Sequence, residues 1–443
     1  MSEHVLIFGN GYYVPDRLRT WARNAGQSVS TTVICDPEQM VKIDEPEKLA
    51  RIVVLPAGAS IEEWVAFARL VHQLQPVTRI GTFSDQGQVA AAAAGRALGI
   101  ATHSVETVRL VHDKYAMRQR LAEAGVESTA SAVVRDVAEL REFAAAHGYP
   151  CVVKPGSGMA SAGVSIISGP DEAQAAFDRA HGISHDRGLA PALATAPALA
   201  AGGPDQHADN PIQVIAEQYL TGVQYSVECF SEQGEHQLVT ITRKYSDPVS
   251  LVELGHVMPA PLEQAEQEAI GAHVGRALEA LGVEFGPTHT EIVLTGAGPR
   301  IIETHLRFGG DHIWDLVTDA TGVDLVKNQW RQMIGEKVLP GIRETLRDED
   351  RPRRCQAIWF ASTQASGVLV EITGVEGPHP DGVTVKYPLP AGTEVHGLQS
   401  SFSRLAQARA AADTAAEAVE LARQAVEGLG VVVRVPSTVP EVI

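Results

Sequence analysis

The segment 288–311 combines acidic, basic and apolar side chains in two alternating runs around the short turn 295–299. A hairpin centred on Ala297 would place Glu291 directly opposite Glu303, because each lies six residues from the centre. Side chains alternate at period two along a strand. One face of the predicted hairpin would carry His289, Glu291, Glu303, His305 and Arg307, and the other Ile292, Leu294, Ile302 and Leu306.

Two opposed carboxylates would have Cβ atoms about 4.5 to 5.5 Å apart and would repel each other. We therefore expect a cation between Glu291 and Glu303. Magnesium fits, because this hard ion takes oxygen ligands and commonly joins carboxylates to nucleotide phosphates. The alternative is a solvated hairpin face with both glutamates partly exposed.

A second indication of chemistry is Lys154, which stands at the end of a short apolar run. It is followed by Pro155 and then by eight residues of Gly, Ser, Ala and Met. Small residues let backbone N–H groups approach phosphate oxygens, and the lysine adds a point charge. The segment lacks the G-K-[ST] ending of a Walker A loop. It is therefore interpreted either as another kind of phosphate loop or as an ordinary solvated strand end.

Two further segments complete the set. Residues 113–125 form an amphipathic pattern with an acidic N-cap at Asp113 and a stop at Gly125. Residues 215–228 predict a strand that turns at Thr221 and Gly222 and continues as a second strand. Taken alone, the second segment is an ordinary hairpin.

The elements that position these residues begin with an α/β alternation. Strands are predicted at 4–9, 28–34, 51–55 and 78–83, with helices at 16–25, 61–74 and 88–98. This order favours a doubly wound parallel sheet. Gly9 and Gly11 lack the third glycine of a dinucleotide-binding fingerprint, so a tight turn is the preferred interpretation over a nicotinamide site.

The remaining chain alternates strands and helices less regularly. Strands are predicted at 131–135, 151–154 and 164–168, and a helix is predicted at 137–147. Residues 181–211 are expected to form a loop-like insertion. A β-rich stretch is predicted at 212–307, interrupted by a helix at 262–281, and a further helix follows at 314–321. Beyond residue 350, a small α+β unit ends in an Ala-rich helix at 411–429 and a strand at 431–435.

Composition excludes several classes of protein. The chain has 443 residues, 44% hydrophobic and 20% charged, which is typical of a globular protein with two to four domains. A net charge of −18 repels nucleic acid and acidic membrane surfaces. Four widely spaced cysteines predict buried, reduced thiols. The absence of a signal-peptide pattern and of a membrane-spanning apolar run predicts a cytoplasmic location.

In their order, the start of the helix at Asp113–Lys114, VVKP with its glycine-rich loop, E-Q-Y-L-x-G at 217–222 and the paired-glutamate hairpin resemble the ATP-grasp superfamily. The resemblance extends over the whole chain, since the tail is similar to the closing domain of biotin-carboxylase-like members. It implies an α/β and α+β multidomain fold. The expected domains are an N-terminal α/β domain at 1–111, an ATP-grasp domain at 112–345 with a lid subdomain at about 128–216, and a C-terminal α+β domain at 346–443.

The resemblance also implies roles for individual residues. The phosphate-binding lysines would be Lys114 and Lys154, and the loop 156–163 would close over the triphosphate through Gly156, Ser157, Gly158, Ser161 and Gly163. Glu217 would accept from the adenine amino group, beside the backbone of Gln218 and Leu220. Glu291 and Glu303 would bind magnesium, with manganese as an alternative ion.

Two positions depart from the usual pattern. Gln224 stands where family members commonly place a glutamate on the ribose, which implies a neutral hydrogen bond. His305 replaces the asparagine metal ligand of E-x-N-x-R, and imidazole suits softer metals than magnesium.

The segments YSVECF, LVELGHVMPAPL and RFGGDHIWDLV resemble L-amino-acid ligases that make dipeptides. This resemblance implies a substrate pocket formed by Glu253, His256, Arg307, Gly309, Gly310 and Asp311. Arg307 and Lys154 would act in catalysis. Loop packing is the alternative for Glu253 and His256.

The implied activity is ATP-dependent joining of amino-acid-like substrates through an acyl phosphate, and analogy with the family allows a homodimer. Three alternatives share the nucleotide site: a biotin-carboxylase-like subunit, a ribonucleotide-amine ligase and a non-catalytic regulatory module. The sequence contains no M-K-M-type biotinyl site. Retention of both lysines and both glutamates argues against the regulatory module.

Overall fold

The structure is a computed structural model that describes residues 2–9, 26, 28–43, 45–156, 162–185, 213–350 and 353–435. The predicted helix at 16–25 lies outside the described residues, as do residues 157–161 of the glycine-rich loop and 186–211 of the insertion. Within the described ranges, no helix is both long enough and apolar enough to cross a membrane.

The N-terminal part contains a parallel sheet in the order β3-β2-β1-β4. Its strands are β1 Ser2–Phe8, β2 Ser28–Cys35, β3 Arg51–Val54 and β4 Arg79–Thr82, and its helices are α1 Pro37–Met40, α2 Ile61–Leu74, α3 Asp85–Leu98 and α4 Val105–His112. The parallel sheet is confirmed, although the sequence patterns did not predict α4. Helix α3 packs closely because Gly87 lies where a Cβ would come within 2.5 Å of the Phe8 carbonyl oxygen. This contact places Asp85, the first residue of α3, just beyond the end of β4.

A second, antiparallel sheet has the order β5-β8-β6-β7. Its strands are β5 Ser131–Val134, β6 Cys151–Pro155, β7 Ser165–Ile167 and β8 Val214–Gln218, and the helices of this region are α5 Lys114–Glu123, α6 Val137–His147 and α7 Ala173–His185. Asp113 caps α5, since its side chain accepts from the backbone N–H of Ala116. The predicted insertion at 181–211 therefore starts too early, because α7 continues to His185.

The central sheet has the order β13-β12-β9-β10-β11-β14-β18-β16. Its strands are β9 Gly222–Glu232, β10 Glu235–Ser246, β11 Glu253–Met258, β12 Phe285–Thr295, β13 Gly298–His305, β14 Cys355–Ala361, β16 Val383–Lys386 and β18 Ala406–Ala412. A smaller sheet, β17-β15-β19, contains β15 Ser366–Thr373, β17 Glu394–His396 and β19 Gly430–Arg434. The helices are α8 Gln264–Ala280, α9 Ile313–Thr321, α10 Leu325–Met333, α11 Leu339–Arg347 and α12 Ala415–Glu427.

The predicted helix at 411–429 is wrong in its first residues. Residues 406–412 form β18, which pairs with β14 on one side and β16 on the other, and the helix begins only at Ala415. Ala408, Ala410 and Ala412 are buried. Alanine favours helix by intrinsic propensity, but strand pairing and burial override that preference here. Helices α10 and α11 were also not predicted.

The prediction of reduced cysteines agrees with the geometry. Cys35, Cys151 and Cys229 are buried free thiols, and Cys355 is a partly buried one. Burial raises the pKa of the Cys229 thiol to about 12, so this group is a packing residue and not a nucleophile.

Candidate active site

The carboxylates Glu291 and Glu303 pair directly across the β12–β13 hairpin, as the sequence predicts. A bulge follows between Glu291 and Ile292, so Ile292 pairs with Ile301. This shift corrects the predicted apolar face: Ile301 is fully buried, whereas Ile302 lines the same cavity as the two glutamates. An extra residue in one strand reverses the side-chain alternation beyond it.

Two lysines supply positive charge to these carboxylates. Lys114 Nζ lies 2.7 Å from Glu303 Oε2. Lys244 Nζ forms ion pairs with both Glu291 and Glu253, and only 1% of its side chain is exposed. Burial alone would lower the pKa of Lys244, but the two carboxylates outweigh burial and raise it. Each of the two glutamates therefore has one lysine partner, and the sequence analysis missed Lys244; the magnesium ion expected between them stays a prediction.

Both glutamates are held in the ionised form. Burial would raise the pKa of Glu291, but Lys244 outweighs burial and lowers it; Lys114 does the same for Glu303. Gln224 also donates from Nε2 to Glu291 Oε2 at 3.2 Å. Opposed, ionised oxygen ligands beside a cavity fit a hard divalent cation such as magnesium.

A buried histidine supports this acidic pair from one side. His289 Nδ1 lies 2.6 Å from Glu228 Oε1, and His289 Nε2 lies 3.5 Å from Glu291 Oε1. Burial would lower the pKa of His289, but the Glu228 carboxylate outweighs it and raises the pKa to about 9. A protonated His289 therefore offsets part of the negative charge.

The cavity beside the hairpin contains most of the residues predicted to bind ATP. Its walls include Lys114, Arg118, Lys154, Glu217, Gln218, Tyr219, Leu220, Gln224, Glu291, Ile302 and Glu303. The second sheet supplies Lys154 from β6 and Glu217 from β8, whereas the central sheet supplies the paired glutamates. The cavity therefore lies between the two sheets, with basic and acidic groups on its walls.

Glu217 already has two cationic partners in this cavity. Its carboxylate lies 2.7 Å from Lys154 Nζ and 3.1 Å from Arg118 Nε. Burial would raise the pKa of Glu217, but Arg118 and Lys154 outweigh it and lower the pKa to about 2. Arg118 was not predicted, since it lies in an ordinary helical pattern. The role of Glu217 toward the adenine amino group stays a prediction.

The start of the glycine-rich loop is tied to helix α5. The backbone N–H of Lys114 donates to the Gly156 carbonyl at 3.1 Å, and the Gly156 N–H donates to the Gln213 carbonyl at 2.6 Å. Gly163, at the far end of the loop, has a φ of +75°. Ser157, Gly158 and Ser161 lie outside the described residues.

Arg307 and His305 both face Asp85, a residue that the sequence analysis missed. Arg307 Nε donates to Asp85 Oδ2 at 2.7 Å, and His305 Nδ1 lies 3.4 Å from the same oxygen. His305 Nε2 lies 3.2 Å from Glu303 Oε1. Burial would lower the pKa of His305, but Asp85 outweighs it and raises the pKa. Both ring nitrogens of His305 already have a carboxylate partner, which argues against a role as a metal ligand.

The predicted substrate residues Glu253, His256 and Asp311 lie together. His256 Nε2 is 3.0 Å from Asp311 Oδ2 and 3.6 Å from Glu253 Oε2. Their ligand atoms all lie within 4.8 Å, which would also suit a metal ion. Lys244 and Arg404 already pair with the two carboxylates, however, so the charge balance favours a wall of ion pairs.

Glycines let the neighbouring loop approach this wall. A Cβ on Gly309 would come within 2.8 Å of His289 Nδ1 and 3.0 Å of Ile313, whereas nothing lies within 4 Å of the Cβ position of Gly310. Gly309 is therefore needed for close packing, and Gly310 leaves open space.

Comparisons with known proteins agree with this geometry. Residues 147–315 match the ATP-grasp domain family, and residues 359–434 match the L-amino acid ligase C-terminal domain 2 family. The chain is 28% identical over 326 residues to an uncharacterised protein of Sinorhizobium fredii, covering 73% of this chain and 62% of that protein. It is 25% identical over 244 residues to alanine–anticapsin ligase of Bacillus subtilis, covering 52% of this chain and 48% of that enzyme.

The fold comparison covers nearly the whole chain. The crystal structure of an L-amino acid ligase from Bacillus licheniformis superposes with a TM-score of 0.75 at 20% identity, covering 98% of this chain and 99% of that one. The chain spans only 62% and 48% of the length of the two curated relatives named above. Residues 147–315 thus match the ATP-grasp domain family, residues 359–434 match an L-amino acid ligase domain family, and the chain as a whole has the fold of the L-amino acid ligase from Bacillus licheniformis.

Proposed function

We propose that this protein is an ATP- and magnesium-dependent carboxylate–amine ligase that joins amino acids through an acyl-phosphate intermediate. The observation that carries the proposal is the bridge formed by Lys244, which pairs with Glu291 at the nucleotide cavity and with Glu253. Glu253, His256 and Asp311 together form what we call the amino-acid wall. A single buried side chain thus joins the two sites. Such a connection suits an enzyme that transfers a phosphoryl group from ATP to a second, nearby substrate.

The phosphate end of ATP would bind near Lys114 and Lys154, which both line the cavity. Glu291 and Glu303 would hold magnesium, which supplies charge neutralisation for the phosphates when bound. Phosphoryl transfer depends mainly on positioning and electrostatic stabilisation. The two lysines contribute to that positive field.

The first chemical step is attack of a substrate carboxylate oxygen on the γ-phosphorus, which breaks the bond to the β-phosphate oxygen and gives an acyl phosphate and ADP. In the second step an amine attacks the acyl carbon, loses a proton and expels inorganic phosphate. Arg307 would stabilise charge on the acyl phosphate and the tetrahedral intermediate. The loop 156–163 would act as a lid, because water would hydrolyse an exposed acyl phosphate.

The charges near the pocket favour a zwitterionic substrate. Arg307 can hold a carboxylate in a directed fork, and Glu253 can pair with an ammonium group. An α-amino acid carries both groups in one small molecule, whereas bicarbonate or a fatty acid does not. The match of residues 359–434 to an L-amino acid ligase domain supports the same substrate class.

The test is phosphate release from ATP in the presence of pairs of L-amino acids, with mass spectrometry of the products. Stimulation by amino acids and an amide-linked product would support the proposal. Arg307→Lys keeps the charge but loses the fork, so it should reduce turnover strongly. Arg135→Lys is the matched control, because the Arg135 side chain is 82% exposed and its ion pair with Glu139, at 3.1 Å, lies at the surface.

Other acceptors discriminate between related activities. Turnover with bicarbonate would indicate a carboxylase, and turnover with an aminated sugar phosphate would indicate a ribonucleotide-amine ligase. Either result without any response to amino acids would overturn the amino-acid proposal but leave the nucleotide site in place. Nucleotide binding without turnover under all conditions would indicate a regulatory module.

A further inference from the structure

The loop after β13 carries two successive non-glycine residues in a left-handed backbone conformation. Asp311 has a φ of +54° and His312 a φ of +57°. Residues with a Cβ rarely adopt this conformation, and it persists only where surrounding contacts impose it. Asp311 is also part of the proposed amino-acid wall through its contact with His256. Contacts with other parts of the chain must therefore stabilise the left-handed backbone at Asp311 and His312.

Arg404, in the segment that precedes β18, grips Asp311 directly. Its Nη1 donates to Asp311 Oδ2 at 2.7 Å, and its Nη2 donates to Asp311 Oδ1, which makes a two-pronged ion pair. The Arg404 side chain is 12% exposed and the Asp311 side chain 18%. A two-pronged guanidinium–carboxylate pair fixes orientation as well as charge. It therefore restrains the position of the Asp311 carboxylate.

The guanidinium of Arg404 is itself fixed from two other directions. Its Nε donates to the Ser401 carbonyl at 2.7 Å, and its carbon lies 3.7 Å from the centre of the Phe360 ring. The Phe360 ring also meets His256 edge-on, with ring centres 5.9 Å apart. Arg404 thus extends to the wall from the C-terminal part of the chain, where Ser401 and Phe360 fix its guanidinium. It contacts Asp311 directly and packs on Phe360, which is a neighbour of His256.

A second contact from the C-terminal part reaches the next residue of the loop. The ring of His312 stacks on Tyr387 with ring centres 5.2 Å apart and planes at 8°. His312 Nδ1 also lies 3.0 Å from Asp315 Oδ2. Both left-handed residues are therefore held by groups from beyond residue 385, outside the segment 147–315 that matches the ATP-grasp domain family.

We propose that Arg404 is a positioning residue that sets the geometry of the amino-acid wall. Its role in substrate recognition rests on the ligase function proposed above. Arg404 holds Asp311 so that the Asp311 carboxylate accepts a hydrogen bond from Nε2 of His256. Asp311 then shapes the pocket, and the substrate ammonium is left to Glu253. This assignment gives the C-terminal part of the chain a direct part in amino-acid selection.

The experiment compares Arg404→Met, Arg404→Lys and Asp311→Asn in the full chain. Arg404→Met should raise KM for the amino acid by about ten-fold while KM for ATP changes by less than about two-fold, since the wall and not the nucleotide cavity is altered. Arg404→Lys restores charge without the fork and should recover only part of the loss. The double variant Arg404→Met/Asp311→Asn should be no worse than the poorer single variant, because the two residues act as one unit.

The matched control is Arg423→Met. Arg423 lies on α12, in the same C-terminal part of the chain, and pairs with Glu420 and Glu427 of its own helix. The change should leave KM for both substrates unaltered. Equal effects of Arg404→Met and Arg423→Met on the amino-acid KM, or fully additive effects of the Arg404 and Asp311 changes, would overturn the assignment.

Hydrogen exchange separates this inference from the ligase proposal. The backbone of residues 309–313 should exchange faster in Arg404→Met than in wild type, with or without substrates, and should exchange at the wild-type rate in Arg423→Met. Failure of wild type to respond to amino acids would overturn the ligase proposal alone. Unchanged exchange in Arg404→Met would overturn the positioning role of Arg404, whatever the activity of the variant.

Discussion

Asp85, the first residue of α3, accepts a hydrogen bond of 2.7 Å from Nε of Arg307, which follows β13. The two residues are 222 positions apart in sequence. Burial would raise the pKa of Asp85, but Arg307 outweighs it and holds the pKa well below its usual range. The arginine proposed to stabilise the acyl phosphate is thus oriented by the N-terminal sheet region.

Asp85→Asn should impair catalysis without preventing nucleotide binding. The change keeps the size of the side chain but leaves Arg307 without its anionic partner. We expect kcat/KM to fall on the order of 100-fold, equivalent to about 2.7 kcal/mol, as is common when one member of a buried charge pair is removed. Steady-state phosphate release and calorimetric nucleotide titration measure the two effects.

The control for Asp85→Asn is Asp171→Asn, since Asp171 is exposed in a short turn. Normal turnover in Asp85→Asn, or an equal loss in both variants, would contradict the positioning role of Asp85.

Lys244→Met should destabilise the fold as well as reduce activity. It removes the cation shared by Glu253 and Glu291 and leaves two carboxylates with less positive charge nearby. Breaking a buried ion pair by removing one partner typically costs about 3 to 5 kcal/mol. Urea unfolding would measure the loss. Lys386→Met, on an exposed position of β16 in the same sheet, should change the unfolding free energy by less than about 0.5 kcal/mol. Equal stability of the two variants would refute the bridge.

Glu303→Gln should abolish amide formation while the protein remains folded. The substitution preserves shape but removes the charge that pairs with Glu291 as a proposed magnesium ligand. Product formation should be measured across a magnesium titration, with circular dichroism as the check on folding. Glu371→Gln, on an exposed position of β15, should retain full activity. Full activity of Glu303→Gln at ordinary magnesium concentrations would reject the metal assignment.

Glu217 should make stability depend on pH in the acidic range. Its pKa is about 2 in the folded protein against 4.5 ordinarily, because Arg118 and Lys154 outweigh the effect of burial. A lowered carboxyl pKa contributes stability that is fully present above pH 4.5 and is lost as the pH falls toward 2. The shift corresponds to about 3 kcal/mol at neutral pH.

Urea unfolding of wild type and Glu217→Gln between pH 7 and pH 2 tests this prediction. The variant should be less stable at pH 7, and the difference should disappear as the pH approaches 2. Glu344→Gln, at an exposed position of α11, serves as the control. A constant difference between wild type and Glu217→Gln across the range would show that the carboxylate charge does not stabilise the fold.

The sequence determined the features that depend on local order along the chain. Strand and helix periodicity gave the parallel N-terminal sheet, and equal distances from one turn gave the pairing of Glu291 with Glu303. The capping carboxylate of Asp113 could also be identified, because a cap acts within a few residues of its own helix. Such features require no knowledge of distant segments.

Tertiary structure alone decided which distant residues complete the candidate site. Asp85, Lys244 and Arg404 come from separate parts of the chain, and nothing in their local sequence marks them as partners of Arg307, Glu291 and Asp311. The same holds for β18, whose alanines favour a helix until two neighbouring strands pair with them. The physical reason is that ion pairing and sheet pairing depend on distance in space, which the packing of the sheets fixes and sequence separation does not reveal.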